Sequence, residues 1–518
     1  MTGKMNCLLV HPEFSKRSAL NYTDVCRIMG AKYPIPPLGL ITVAALLPQN
    51  WNFKLLDLNT EPLSDHYFEW ADIVCTGGML SQQTGILSII HKTHQFNKKV
   101  VVGGPDPTCQ PGIYTEADYL VCGEGENTIP LFLEELDRGV PNGIYSVAGT
   151  ADLTQTVIPR YDLIRFPDYL MVDIQYSRGC PYQCEFCNVI ELFGRKQRAK
   201  TCQQVIAELQ FLFELGYRGH IFFIDDNFLS NGPPVEALLK ELAIWSEKSK
   251  YPFYFQAEAS INLAGEDRYL QMLKKANFRY LSIGLETVED EVLKMAQKPQ
   301  NMHRPFPEII KKILSYGIVV DASFIMGFDN ETSQTATSLM NTIQESGICM
   351  AMVGTLYALP NTRLEKRLAG EGRLYDEGTV IRDPSLEIDQ MSSGLNFITI
   401  RPKSAILKDY ISVLTCLYDP VNYFKRITWT GLHLNPCNSY KPGLLHTFRL
   451  VRGYFRVMAR VGFNRDTGFQ FWKLLVIILI KNPKAFETVV SLAAMYLHLA
   501  QHSRFICNIT LERLKALK

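Results

Sequence analysis

The chain has 518 residues, 47% hydrophobic and 20% charged, an ordinary globular composition spread over a length that excludes a single hydrophobic core and suggests about three domains. Net charge is +1, and the thirteen cysteines are mostly scattered singly. That pattern argues against a disulfide scaffold and for a reducing compartment, where clustered cysteines mean metal.

The N-terminal stretch MTGKMNCLLVHPEF has no apolar run of signal-peptide length. Residues 1–145 then alternate short β-rich runs with helix-length segments: CLLVH (7–11), FKLLDL (53–58), DIVCTG (72–77), KVVVGG (99–104) and DYLVCG (118–123). Strands this apolar predict a parallel sheet covered on both faces. The loops after them carry His11-Pro12, Gly77-Gly78, Gly103-Gly104-Pro105 and Gly123-Glu124-Gly125. In open α/β sheets ligands sit beyond the carboxyl ends of the strands, where glycine lets them approach the backbone. No G-x-G-x-x-G follows the first strand, so a dinucleotide fingerprint is absent.

Residues 146–170, with Pro159 and Pro167, read as a linker. Six further strands are expected over 171–365: VDIQY (172–176), HIFFI (220–224), FYFQA (253–257), YLSI (280–283), VDASFI (320–325) and MVGTLY (352–357). Helical segments such as VIAELQFLFELG (205–216) and EIIKKILSYG (308–317) separate them. Repeated strand–helix units predict a whole or partial β/α barrel with its site at the strands' carboxyl ends. Those ends hold Cys180–Cys187, Asp225-Asp226-Asn227, Glu258, Gly284 with Glu286, and Gly327.

SRGCPYQCEFCNVIELFGR (177–195) spaces Cys180, Cys184 and Cys187 as Cys-x3-Cys-x2-Cys. A structural zinc site needs four ligands, and no second Cys or His pair follows. A [4Fe–4S] cluster accepts thiolates at varied spacings, and three of them leave one iron open for chemistry. Buried unliganded cysteines are the alternative, which three within eight residues beside Gly179 and Pro181 disfavour.

Residues 366–518 read as a helical, basic, aromatic region. From Arg401 onward 18 Lys and Arg face 5 Asp and Glu, a net of +13, against −12 for the remainder. RLVRGYFRVMARVG (449–462) sets Arg449, Arg452, Arg456 and Arg460 on one helical stripe. Such a helix suits anionic lipid, or packs its arginines against the protein's own acids. Its apolar neighbour LLVIILI (474–480) is far shorter than the roughly 20 residues of a spanning helix. A cytoplasmic location follows, with peripheral contact to the inner face of the membrane through the basic helices.

Cys180-x3-Cys184-x2-Cys187 on the first strand loop of a β/α barrel, with Phe186 before the last cysteine, resembles the radical S-adenosylmethionine (SAM) superfamily. The resemblance implies that SAM chelates the open iron and that reduction of the cluster yields a 5′-deoxyadenosyl radical. It also implies SAM contacts at Phe186, Asp225-Asp226-Asn227, Glu258, Gly284 with Glu286, and Gly327. PIPPLGLITVAALLP (34–48), GGML (77–80), VVGGPDPT (101–108) and CGEGEN (122–127) are similar to the cobalamin-binding subclass. That similarity implies a flavodoxin-like (Rossmann-like) domain holding cobalamin against Gly77, Gly78, Ser81, Gly103, Gly104, Gly123, Glu124 and Gly125. No Asp-x-His-x-x-Gly occurs, which argues against a histidine ligand to cobalt.

IDDNF, EASINLA, GLET, FIMGFD, SGLNFITI and LYDPVNYFKR extend the resemblance to the group containing hopanoid C-2 methylases. The fold it implies is a cobalamin domain, a partial (β/α)6 radical SAM barrel and a helical C-terminal domain. The activity it implies is methylation of an apolar lipid carbon from methylcobalamin, with a flavodoxin- or ferredoxin-type electron donor. The open alternatives are a methylase or cyclase acting on a tetrapyrrole or other natural product, and a non-catalytic iron–sulfur and cobalamin sensor. Superfamily members acting on tRNA append a β-barrel domain, so no nucleic-acid partner is expected from a helical tail. Hydrogen abstraction needs no acid–base pair, and no general base is nominated.

Overall fold

In the computed structural model the described residues are 3–15, 18–375, 394–436, 440 and 443–517. Five strands form where the apolar runs predict them: β1 (Asn6–His11), β2 (Asn52–Asp57), β3 (Ile73–Gly77), β4 (Lys99–Gly103) and β5 (Tyr119–Cys122). A sixth, β6 (Gly143–Ser146), adds an edge that the sequence reading missed, because its Ile144 points into solvent. All pair in parallel in the order β2-β1-β3-β4-β5-β6. The sheet buries both faces. Leu8, Val10, Val74, Val100 and Val102 fill one side, and Cys7, Leu9, Ile73, Cys75 and Val101 fill the other. This is the two-residue alternation of a doubly covered sheet.

The stretch 146–170 is packed rather than free. Tyr161 is buried and donates its hydroxyl to the Asp173 carbonyl at 3.1 Å, and the Tyr169 hydroxyl reaches Asp57 Oδ2 at 2.8 Å.

A second parallel sheet follows, made of β7 (Val172–Ile174), β10 (Gly219–Phe223), β11 (Phe253–Glu258), β12 (Phe278–Glu286), β13 (Val319–Met326) and β14 (Met350–Thr355). Its order, β14-β13-β12-β11-β10-β7, leaves β14 and β7 at opposite edges, the geometry of a partial barrel. Between β7 and β10 lies a short antiparallel pair, β8 (Ser177–Arg178) with β9 (Arg198–Ala199). Two residues per strand give no periodicity to read, yet this pair closes the cysteine loop at its base.

Helices labelled here are α1 (Thr23–Met29), then α2 (Lys403–Leu417), α3 (Pro420–His433), α4 (Leu444–Val457), α5 (Gly468–Lys481) and α6 (Phe486–Ala516). The last five share one continuous apolar core with the barrel. No helix among the described residues is long and apolar enough to cross a membrane.

Candidate cofactor site

The cysteine loop owes its shape to residues that are not cysteines. Gly179 has φ of +94°, and a Cβ there would sit 2.8 Å from the Lys196 carbonyl oxygen, so only glycine fits the turn before Cys180. Its N–H donates to Asp226 Oδ2 at 2.8 Å. Asp225 is fully buried and accepts from the Tyr176 N–H at 3.2 Å and from both the N–H and the hydroxyl of Ser177. Asn227 is buried and pairs with the backbone and hydroxyl of Ser260. Asp225 and Asn227 thus brace the base of the cysteine loop.

Cys180, Cys184 and Cys187 are partly buried, and all twelve described cysteines are free; Cys437 lies outside the described residues. Burial raises all three thiols, Cys187 to about 12, while the Lys298 ammonium opposes that rise at Cys180 and Cys184. Lys298 forms an ion pair with Glu286, and Gln300 Nε2 lies 3.8 Å from Cys184 Sγ. Among the described residues no three His, Cys, Asp or Glu side chains are gathered for a single ion. A cluster makes a different demand, since three of its irons each take a separate thiolate and the fourth stays open. The three thiols on one pinned loop fit that demand.

The remaining barrel candidates ring the same mouth. Phe186 packs edge-on to Phe328 at 6.0 Å. Glu286 takes a φ of +63°, and a Cβ on Gly284 would meet its carboxylate at 2.5 Å and Lys298 Nζ at 2.9 Å. Gly327, at φ of +106°, donates its N–H to Glu331 Oε1 at 2.7 Å. Glu258 is accessible, yet burial and the nearby Asp321, Asp226, Asp225 and Glu286 push its carboxyl up to about 8. Its position at the carboxyl end of β11 sets it among the other barrel candidates. Tyr22, after β1, takes a left-handed backbone (φ 43°), its ring 5.8 Å from His498 of α6. Beside it a cavity of about 490 Å³ is lined by Asn21, Asp24, Tyr33, Asn59, His498 and Gln501, among others.

On the first sheet the glycines form a flat ledge at the strand ends. A Cβ on Gly77 would come within 2.1 Å of the Gly103 carbonyl oxygen, and one on Gly104 within 3.0 Å of Gly78 N. The Ser81 hydroxyl is buried without a hydrogen-bond partner. A ledge of bare backbone beside an unsatisfied hydroxyl fits a broad planar ring such as a corrin. His11, just after the first strand's apolar run, is held within the protein: its Nε2 lies 2.9 Å from Gln82 Nε2 and its Nδ1 3.9 Å from Asp57 Oδ1. Gly77→Ala should destabilise the protein by about 1–3 kcal/mol through overpacking and weaken cobalamin retention. Gly112→Ala, with open space around its Cβ, should do neither. Denaturant midpoints and bound corrin per chain are the measurements.

Glu124 and Gly125 were expected on that ledge with Gly123. The Glu124 carboxylate is engaged at the base of the cysteine loop. Arg178 Nη1 donates to Glu124 at 2.7 Å, and the same guanidinium grips Glu126 at 2.8 and 2.9 Å. Arg198 closes the cluster with a further contact to Glu124 at 2.9 Å. Both arginines sit on β8–β9, so the base of the cysteine loop is bolted to the first sheet. The sequence reading missed Arg178, Arg198 and Lys298, although Arg178 stands two residues before Cys180.

Comparison with known proteins agrees with this geometry. Family models described as B12 binding domain, Radical SAM superfamily and a domain of unknown function match residues 26–133, 174–343 and 362–510. A Synechocystis protein named as an uncharacterized methyltransferase is 37% identical over 513 residues, covering 99% of this chain and 94% of that one. The hopanoid C-2 methylase of Rhodopseudomonas palustris is 31% identical over 479 residues, covering 91% and 88%. The cobalamin-dependent SAM radical enzyme OxsB, solved with aqua-cobalamin, shares the fold at a TM-score of 0.62 and 13% identity, covering 99% and 84%. With a pinned three-cysteine loop, a glycine ledge and this likeness along nearly its whole length, the chain belongs to the cobalamin-dependent radical SAM methyltransferases, enzymes whose cofactors are a [4Fe–4S] cluster, SAM and cobalamin.

Proposed function

We propose that this enzyme methylates an unactivated carbon of an apolar polycyclic lipid of the hopanoid type. One observation carries the substrate class: the likeness to the hopanoid C-2 methylase spans 91% of the chain, a share that must extend well beyond the barrel. In this reading Cys180, Cys184 and Cys187 hold the cluster. Phe186, Asp226, Glu258, Gly284, Glu286 and Gly327 surround SAM, and Asp225 and Asn227 keep that wall in register. The Gly77, Gly78, Gly103 and Gly104 ledge with Ser81 and Gly123 carries the corrin. When bound, the cofactors supply hydrogen abstraction and methyl donation. The chain's own residues fix the distance between the two sites through the Arg178–Glu124–Glu126 clamp.

The test is expression in a hopanoid-producing bacterium that lacks its own methylase, followed by lipid mass spectrometry. The expected product is a hopanoid heavier by one methylene, absent with Cys180→Ala. An unchanged lipid profile from cluster-loaded protein overturns the lipid reading and leaves the cofactor assignment intact. Tetrapyrrole and other extracts would then be the next substrates to try.

A further inference from the structure

The helical third turns an apolar face outward. In α5, Phe471, Leu474, Leu475 and Ile478 are buried against the core. On the opposite side Phe469 is 75% exposed, Val476 56%, Leu479 54% and Ile480 71%. Trp472 lies on the same side, and Phe463, 74% exposed, meets its ring edge-on at 6.1 Å. The spacing 469–472–476–479/480 makes one continuous stripe along the helix. Isolated exposed apolar residues need no explanation, but a contiguous stripe of six marks a contact surface.

Its surroundings identify the partner. Arg465, Lys473, Lys481 and Lys484 are exposed around the stripe. Between residues 443 and 484 the sequence holds eight Lys and Arg and a single acid, Asp466. A second copy of this chain would bring the same positive charges into the contact and be repelled. Two arginines of the stripe expected on α4 face elsewhere: Arg456 donates to the Arg27 and Ile28 carbonyls at 2.9 and 2.8 Å, and Arg449 to the Met29 carbonyl at 3.2 Å. They cap the C-terminal end of α1. Arg452 and Arg460 stay exposed, as do Phe448, Val451 and Phe455 of α4, but the continuous apolar stripe lies on α5.

We propose that the Phe463–Ile480 face seats α5 in the plane of an anionic phospholipid bilayer, its aromatic and aliphatic side chains in the headgroup boundary and its lysines on the lipid phosphates. The fourteen residues of α5 are too few to cross a bilayer. The inference rests on the surface alone and holds whatever the substrate.

Flotation of the reconstituted full-length enzyme tests it, using vesicles of phosphatidylcholine with or without phosphatidylglycerol. The wild type should float with the anionic vesicles at least ~tenfold more than with the neutral ones, given about 1 kcal/mol per basic residue at an anionic surface. High salt should reduce the difference. Phe469→Asp with Ile480→Asp should lower the bound fraction at least ~tenfold, and Lys473→Gln with Lys481→Gln should remove the preference for anionic lipid. These side chains are exposed, so iron content and thermal midpoint should stay at wild-type values. Wild-type protein that remains unbound with anionic vesicles overturns the proposal, as do aspartate variants that float equally well. A concentration-dependent dimer in light scattering, lost in the aspartate variant without any flotation of the wild type, would assign the face to a second copy instead. None of these outcomes depends on hopanoid methylation, so the two readings fail separately.

Discussion

Cys180→Ala, Cys184→Ala and Cys187→Ala each should lower turnover at least ~10³-fold, a loss of about 4 kcal/mol of barrier lowering. The reason is geometric as well as chemical. A cluster held by three thiolates has no spare protein ligand, and Gly179, Asp226 and Asp225 fix the loop so tightly that no neighbouring cysteine can move in. Burial raises the free thiols, so the apoprotein keeps them protonated at neutral pH, and metal loading must displace those protons. Iron and sulfide per chain, together with 5′-deoxyadenosine formed from SAM, are the measurements. Cys122→Ala and Cys349→Ala, buried elsewhere, should retain both. A triad variant that kept wild-type iron and SAM cleavage would contradict the assignment.

Arg178→Met should be the most destabilising single change at the junction of the two sheets. Its guanidinium is the shared partner of Glu124 and Glu126, whose side chains are 3% and 11% exposed. Removing one member of a buried ion cluster costs about 3–5 kcal/mol, because the remaining charge is stranded. The thermal midpoint should fall on the order of 10 °C, and iron retention should fall with it as the base of the cysteine loop loosens. Adding Glu126→Gln to Arg178→Met should recover much of the midpoint, since the stranded Glu126 charge is gone while Glu124 keeps Arg198. The pH dependence has a definite sign. Burial raises the Glu126 carboxyl, but the Arg178 hydrogen bonds and charge outweigh it and hold the group below its usual value. A folded pKa below the unfolded one gives stability that is present above the unfolded value, about 4.3, and lost as pH falls below it. Wild type should therefore lose stability in acid, and Arg178→Met should lose less.

Much of the architecture was legible because strands buried on both faces write themselves as apolar runs. CLLVH, KVVVGG and HIFFI each mark a strand within a residue or two. Elements lacking that signature were not legible. β6 exposes Ile144 at an edge, and β8–β9 is two residues deep. At the site, the cysteines and glycines announce themselves by spacing, whereas Arg178, Arg198 and Lys298 act through partners 52 to 74 residues away or across the barrel mouth. The arginine stripe on α4 was only partly legible for a related reason. Periodicity shows that Arg449 and Arg456 share a side of the helix, but not that backbone carbonyls of α1 wait there.

Those two hydrogen bonds also order events during synthesis. The carbonyl of Arg27 waits for a guanidinium 429 positions further along the chain. α1 packs against α4 and α6, so the segment that carries Tyr22 finds much of its support in helices made more than 400 residues later. At about 5–20 residues per second that is a delay of roughly 20–90 s. The first sheet can close in that interval, because its strands pair among themselves. The segment after β1 cannot, so α1 reaches its final packing only when α4 and α6 arrive.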